Sequence, residues 1–158
     1  MKNRFIHPVL LLCLSLAFVL PALSGCAVTK DPAQLELDTN RSIWEKAGIV
    51  DYEFQLRIVC FCPYDYTRPV TVQVAGGNPV TVTYADAPFE VTTDFFQRAD
   101  TIEKLFDIIQ NSIDTGADSL VVKYDPTYGY PKSISIDPIK DAIDEEISYL
   151  VKYLIPKP

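Results

Sequence analysis

The chain has 158 residues, of which 21 are acidic, 14 are basic and 48% are apolar. This length is enough for one ordinary globular domain with its own core. The one histidine, His7, lies in an N-terminal stretch with the composition of an export signal, so the domain that follows contains none. That composition excludes Ser-His-Asp and Cys-His catalytic sites in the domain, together with histidine-based zinc and copper sites.

The first 25 residues predict a lipoprotein signal peptide. Lys2 and Arg4 precede an apolar run over residues 9–20, which has the length of a signal h-region and is too short to span a bilayer. The stretch Leu23-Ser24-Gly25-Cys26 follows and resembles the lipobox of bacterial lipoproteins. The resemblance implies that Cys26 receives a diacylglycerol and becomes the first residue of the mature chain. The alternative is an ordinary secretory signal followed by a chance cysteine.

Removal of residues 1–25 takes away two basic side chains and no acidic one, so the formal charge changes from −7 to −9. A field of this sign repels phosphate backbones and anionic headgroups, and we therefore expect no nucleic-acid partner. We expect the membrane to be held through lipid on Cys26, because two or more acyl chains at one residue make a stable anchor. The predicted location is the cell envelope, on the non-cytoplasmic side of a membrane.

The predicted organisation is a lipidated tether over residues 26–31 and a single domain over residues 32–158. Asp31-Pro32 is typical of a helix start and Gly48 of a helix end, which predicts a first helix from Pro32 to Ala47. From Val50, apolar and polar residues alternate as far as Cys62, and this pattern predicts an amphipathic strand.

The remaining elements follow the same two periodicities. A hairpin about Gly76-Gly77-Asn78-Pro79 is predicted from alternating apolar residues on both sides, and a second helix from Ile102 to near Gly116. Further strands are predicted at 120–124, 134–136 and 147–153, with a helix over 138–150 as the alternative for the last. The order α-β-β-β-α-β-β-β implies an α+β fold, with an antiparallel sheet of about six strands and two helices on one face.

Six groups of residues together resemble a family of uncharacterised bacterial lipoproteins, whose domain of unknown function is catalogued as family six-one-seven-four. They are Trp44-x-x-x-Gly48-Ile49-x-x-Tyr52, Cys60-Phe61-Cys62-Pro63, Leu105-Phe106, Tyr124-Asp125-Pro126-x-x-Gly129-Tyr130-Pro131, Ile134-Ser135-Ile136-Asp137 and Asp144-Glu145. The resemblance covers nearly all of the mature chain. It implies a lipoprotein domain and no established activity.

Cys60 and Cys62 are the two cysteines left after cleavage and acylation, and exported thiols usually oxidise. In a regular strand their Cα atoms would be about 6.6 Å apart, near the upper limit for a disulfide. A bond between them therefore requires a bend, which Pro63 favours by ending the strand. Two buried free thiols and a metal or redox-exchange role are the alternatives.

A turn containing Pro126 and Gly129 predicts a rigid hairpin loop, with Tyr128 at its tip and Tyr124 and Tyr130 near the strand ends. An aromatic loop of this kind is a candidate recognition surface for an envelope protein partner. The alternative is that the tyrosines cap the edge of the core, since tyrosine is common in strands.

Carboxylates also crowd one stretch and would suit calcium by their chemistry: Asp137, Asp141, Asp144 and Glu145. Their spacing matches no EF-hand, so a solvated acidic loop is the better interpretation, and no metal or cofactor is predicted. Three hypotheses on function follow. The leading one is a non-catalytic binding or assembly module, ahead of a thiol or metal protein centred on the two cysteines and of a carboxylate-dependent hydrolase.

Overall fold

The structure is a computed structural model that describes residues 31–87 and 89–158. The predicted signal peptide, Cys26 and the tether up to residue 30 lie outside the described residues. Within the described ranges, no helix is both long enough and apolar enough to cross a membrane.

Helix α1 spans Pro32–Ala47, as predicted. The Asp31 side chain accepts a hydrogen bond from the Ala33 amide at 2.9 Å, so one of the free N–H groups at the helix start is satisfied. Gly48 ends the helix with φ +61°, in the left-handed region that favours glycine. Leu37 and Trp44 are the buried residues of this helix, and they orient it on the sheet.

Six antiparallel strands form one sheet in the spatial order β3-β2-β1-β6-β5-β4. The strands are β1 (Tyr52–Val59), β2 (Val70–Ala75), β3 (Asn78–Tyr84), β4 (Ser119–Tyr124), β5 (Pro131–Asp137) and β6 (Ile147–Pro156). The first and last strands therefore pair at the centre. This sheet confirms the predicted α+β fold.

Three further helical elements connect the strands in the described part of the chain. A one-turn helix, α2 (Tyr64–Thr67), follows β1, a 3-10 turn occupies Phe95–Arg98, and the second long helix, α3, spans Ile102–Thr115. The Thr101 hydroxyl caps α3 by accepting from the Lys104 amide at 3.2 Å. The sequence predicted α3 but neither of the two short elements.

The two long helices are antiparallel and share one hydrophobic core with a single face of the sheet. Gln34 near the start of α1 bonds to Gln110 near the end of α3, whereas Trp44 near the end of α1 bonds to Glu103 near the start of α3. On β1 the core residues are alternate and fully buried: Tyr52, Phe54, Leu56 and Ile58. The intervening residues face the uncovered side of the sheet, as the alternating pattern predicted.

Two sequence expectations require correction. The alternative helix over residues 138–150 is wrong, because residues 138–146 form a loop in which Asp141 and Asp144 have positive φ angles, and Ile147 begins β6. The strand predicted to continue to Cys62 ends at Val59, because the chain bends at Cys60 and Phe61.

Candidate functional site

The predicted aromatic loop between β4 and β5 is held rigidly by Asp125. Its Oδ1 atom accepts hydrogen bonds from the amides of Thr127 and Tyr128, both at 2.9 Å. Its backbone carbonyl accepts from the Gly129 amide at 2.9 Å, and its own amide donates to the Tyr130 carbonyl at 2.8 Å. An aspartate that bonds to its own turn in this way fixes the conformation of the loop.

Gly129 joins this loop to α1. Its φ of +75° favours glycine, and an added Cβ would clash with the Asn40 carbonyl oxygen and lie 2.9 Å from Ile43 Cβ. A close backbone approach therefore brings the loop against the helix, and a side chain at this position would separate them.

The three tyrosines of the predicted recognition surface lie at the edge of the core. Tyr130 is 6% exposed, with its ring edge-on to Trp44 at a centroid distance of 6.4 Å. Tyr124 is half-buried and stacks on Phe106 at 6.5 Å, and burial raises its pKa to about 12. Tyr128 is also half-buried. These positions favour the core-capping interpretation over an exposed aromatic patch.

A polar cluster beneath the start of α3 connects three elements. The Trp44 Nε1 atom donates to Glu103 Oε1 at 2.9 Å, and the Tyr52 hydroxyl donates to Glu103 Oε2 at 3.2 Å. That hydroxyl also accepts from the Ile102 amide at 3.0 Å, so it satisfies the first free N–H of α3. Burial is the main reason why the pKa of Tyr52 is raised above its usual value.

Residues that carry the family resemblance therefore converge on this cluster and on the adjoining loop: Trp44, Tyr52, Gly129 and Tyr130. The Trp44 and Tyr52 rings meet edge to face at 5.4 Å. These contacts join α1, β1 and α3 to one another and to the loop after β4.

Cys60 and Cys62 form a disulfide, with their Cα atoms 5.2 Å apart. This separation is shorter than in a regular strand, which agrees with the bend that the sequence required for pairing. The residue between them, Phe61, is 81% exposed. Among residues 31–87 and 89–158, no three histidine, cysteine or acidic side chains are grouped so that they hold a metal ion.

The described residues also contain no pair of buried carboxylates of the kind that a hydrolase needs. Asp100 is buried, and it forms an ion pair with Lys104 at 2.7 Å. Both carboxylate oxygens of Glu103 accept bonds from Trp44 and Tyr52. The acidic side chains at 141, 144 and 145 are exposed, as expected of a solvated loop.

A groove of about 490 Å³ lies beside α3, and the sequence did not reveal it. It lies on the flank of α3 that α1 does not cover, between that helix, the 3-10 turn and the ends of β5 and β6. Ile136, Ile147 and Tyr149 are contributed by the sheet. The other lining residues are Arg98, Lys104, Asp107, Ile108, Asn111, Ser112, Thr115, Ala117 and Pro138.

Two cationic side chains contribute to the groove, and their surroundings differ. Lys104 bonds to Asp100 and to the Gln97 carbonyl, at 2.7 and 2.8 Å. Arg98 lies over the Phe95 ring at 4.7 Å and forms no ion pair among the described residues. Burial raises the pKa of Tyr149, while the charge of Arg98 and a hydrogen bond from it act in the opposite direction.

The only sequence signal for this groove was weak. The apolar stripe that predicted α3 contains Leu105, Phe106 and Ile109, whereas Ile108 falls on the flank of that stripe. Arg98 precedes the helix in a segment without periodicity. The other walls come from β5, β6 and the loop after β5, which only the tertiary structure brings to α3.

Together, the fold and the groove define a small α+β domain with a ligand-sized cleft beside one helix. Residues 36–156 match a family of unknown function, DUF6174, and the chain belongs to this family. The match agrees with the resemblance drawn from the sequence motifs. No curated protein and no solved structure matches the chain.

Proposed function

We propose that the protein is a lipid-anchored module of the cell envelope that binds a ligand or a partner's side chains in the groove beside α3. The observation that supports this proposal most strongly is the groove itself. Its volume of about 490 Å³ lies in the range of small-molecule sites, and its apolar floor is combined with a few polar groups.

A non-catalytic role is supported by the state of the hydroxyl groups in the groove. The Ser112 hydroxyl donates to the Ile108 carbonyl at 2.9 Å, and burial favours the protonated form of Tyr149. The Thr115 hydroxyl likewise donates to the Asn111 carbonyl at 2.7 Å, so both aliphatic hydroxyls of the groove are bonded to backbone carbonyls. The groove therefore suits recognition better than covalent chemistry.

The proposed anchor agrees with the direction of α1. Asp31 is five residues after Cys26, which limits the tether to about 18 Å at full extension. Because α1 and α3 are antiparallel, the start of α1 lies at the end of the domain where α3 finishes and β4 begins. Thr115 and Ala117 of the groove lie at the same end, so lipid on Cys26 would hold the groove close to the membrane.

The anchor and the binding site require separate tests. Replacing Cys26 by Ser should release the domain from the membrane fraction or block its processing, and unchanged retention with normal cleavage would contradict the anchor.

For the binding site, a photo-crosslinking residue placed at Asn111, in the groove, should capture a ligand or partner in native envelopes. The control position is Val121, which is exposed on β4. Capture from Val121 alone would place binding on the strand side of the molecule and contradict the groove.

A thiol–disulfide role centred on Cys60 and Cys62 is the second candidate. It is favoured by the position of the disulfide, which lies in a loop with a highly exposed residue between two half-buried cysteines. Titration against redox buffers, with alkylation and mass spectrometry as the readout, distinguishes a structural disulfide from one that exchanges with other thiols. A bond reduced only below about −300 mV would be structural, and a higher potential would support exchange.

A further inference from the structure

We propose that the groove beside α3 binds a small amphipathic anion, with the acidic headgroup at Arg98 and the apolar chain along the floor. This inference rests on the proposed function, since it takes the groove to be a binding site. It adds the chemical class of the ligand, the orientation of that ligand and the side chain that selects its charge.

The two ends of the groove differ in polarity. Arg98 and Lys104 lie beside the first turn of α3, whereas Thr115 and Ala117 lie at its end, about 16 Å further along at 1.5 Å per residue. Beyond Ile108 the helix contributes the polar residues Asn111, Ser112 and Thr115 to the groove, whereas the wall facing it is apolar and includes Ile136, Pro138 and Ile147. A ligand with a charged head and an apolar body matches this gradient in only one orientation.

The charge of the headgroup follows from the pairing of the side chains around it. Asp107 is the one acidic residue of the lining, and Arg41 pairs with it at 3.1 Å. Lys104 is paired with Asp100, which leaves Arg98 as the cationic group of the groove without a carboxylate partner among the described residues. Arg98 is exposed, and a guanidinium binds carboxylate or phosphate oxygens through two parallel bonds.

The floor adds a second donor beside Arg98 and an apolar surface beyond it. Tyr149 is 4% exposed, and it lines the groove together with Arg98. A bound oxyanion can accept from both groups, whereas a bound cation would meet Arg98 with a charge of the same sign. Ile136 and Ile147 then offer the chain a surface from which water is displaced.

The probes are sodium octanoate, octanol and octylamine, which share one chain length and differ in headgroup charge. The protein is the mature chain, residues 26–158, carrying Cys26→Ser, so neither an acyl chain nor the apolar signal segment competes with the probes. Amide shifts in ¹H–¹⁵N spectra report the affinity and also the place of binding, through residues such as Asn111, Ala117 and Ile147.

We expect octanoate to bind about tenfold or more tightly than octanol, because a hydrogen-bonded charge contributes at least that factor. Octylamine should bind most weakly. Decanoate should bind more tightly than octanoate, by about fourfold for each added methylene. Arg98→Met should remove the preference for octanoate over octanol, and Arg98→Lys should retain part of it.

The matched control is Arg57→Met, because Arg57 is exposed on a strand remote from the groove and should leave every affinity unchanged. Thermal unfolding of each variant confirms that it is folded. Equal binding of octanoate and octanol within the groove would overturn the anionic ligand and leave the groove as a binding site. Shifts confined to residues outside the groove would contradict the proposed function itself.

Discussion

The two flanks of α3 differ in how completely they are covered. On one flank α1 packs against the helix, and the pocket left between the two helices has a volume of about 180 Å³. On the other flank no helix of residues 31–87 and 89–158 covers α3, and the groove there has a volume of about 490 Å³. One helix therefore faces a closed interface on one side and an open cleft on the other.

The polar side chains on the two flanks of α3 also differ in their partners. On the covered flank the polar groups bond to one another, as Trp44, Tyr52 and Glu103 do, and these contacts position the elements. On the open flank Arg98 forms no ion pair within the described ranges, and it remains available to a ligand. Residues that define the architecture are therefore distinct from the side chain that we propose to select a ligand.

The largest loss of stability is expected from truncating Trp44, a buried side chain of the covered flank. Trp44→Ala deletes a buried indole that contacts Tyr52 and Tyr130, and it should lower the free energy of unfolding by about 3–5 kcal/mol. Leu35→Ala is the control on the same helix, because Leu35 is 56% exposed and its loss should change stability by less than about 0.5 kcal/mol. Urea denaturation measures both, and equal effects would contradict the packing described for α1.

The contact between α1 and the loop after β4 provides the second test. Gly129→Ala introduces a Cβ at a positive φ and against the Asn40 carbonyl, so it should destabilise by about 2–4 kcal/mol. Gly116→Ala is the matched control, because Gly116 also has a positive φ but nothing lies within 4 Å of an added Cβ. The control should cost about 1 kcal/mol. A similar cost for both variants would show that the close approach to α1 adds no strain.

A smaller loss of stability is expected from a substitution in the polar cluster beneath α3. Glu103→Gln keeps the shape of the side chain but turns an amide group towards one of the two donors, Trp44 Nε1 or the Tyr52 hydroxyl. Because one partly buried donor then has no acceptor, stability should fall by about 1–2 kcal/mol. Glu45→Gln, on an exposed residue of α1, serves as the control in the same thermal unfolding experiment. No difference between the two variants would mean that solvent already satisfies these donors.

The local elements of this fold were predictable from the sequence because their signals are local. Asp31, Gly48 and the alternation that includes Tyr52 and Phe54 mark their own helix end or strand face. The order of the strands was not predictable, because β1 pairs with β6 at a distance along the chain that no periodicity records. The hydrogen bond between Tyr153 and Glu53, 100 positions apart, illustrates that distance.

The disulfide and the groove differ in the same way in how far the sequence predicts them. Cys60 and Cys62 were recognisable because the two thiols lie only two positions apart and Pro63 predicts the bend. The groove combines Arg98, Ile108 and Tyr149 from three separate segments, and each residue alone has an ordinary structural explanation. A site assembled across segments in this way is visible only once the tertiary contacts are known.

The smallest changes in stability are expected from substitutions at Gln110 and Asn111, which are adjacent in α3 and face opposite flanks. Gln110 and Gln34 exchange two amide hydrogen bonds, at 2.8 and 2.9 Å, so Gln110→Ala should cost about 1 kcal/mol of stability. The Asn111 side chain lines the groove and has no hydrogen bond among the described residues. Since alanine has the higher helix propensity, Asn111→Ala should stabilise the domain by up to about 0.5 kcal/mol. Chemical denaturation of the two single variants compares the two flanks at one level of the helix. A larger loss of unfolding free energy for Asn111→Ala than for Gln110→Ala would contradict the assignment of the covered and open sides.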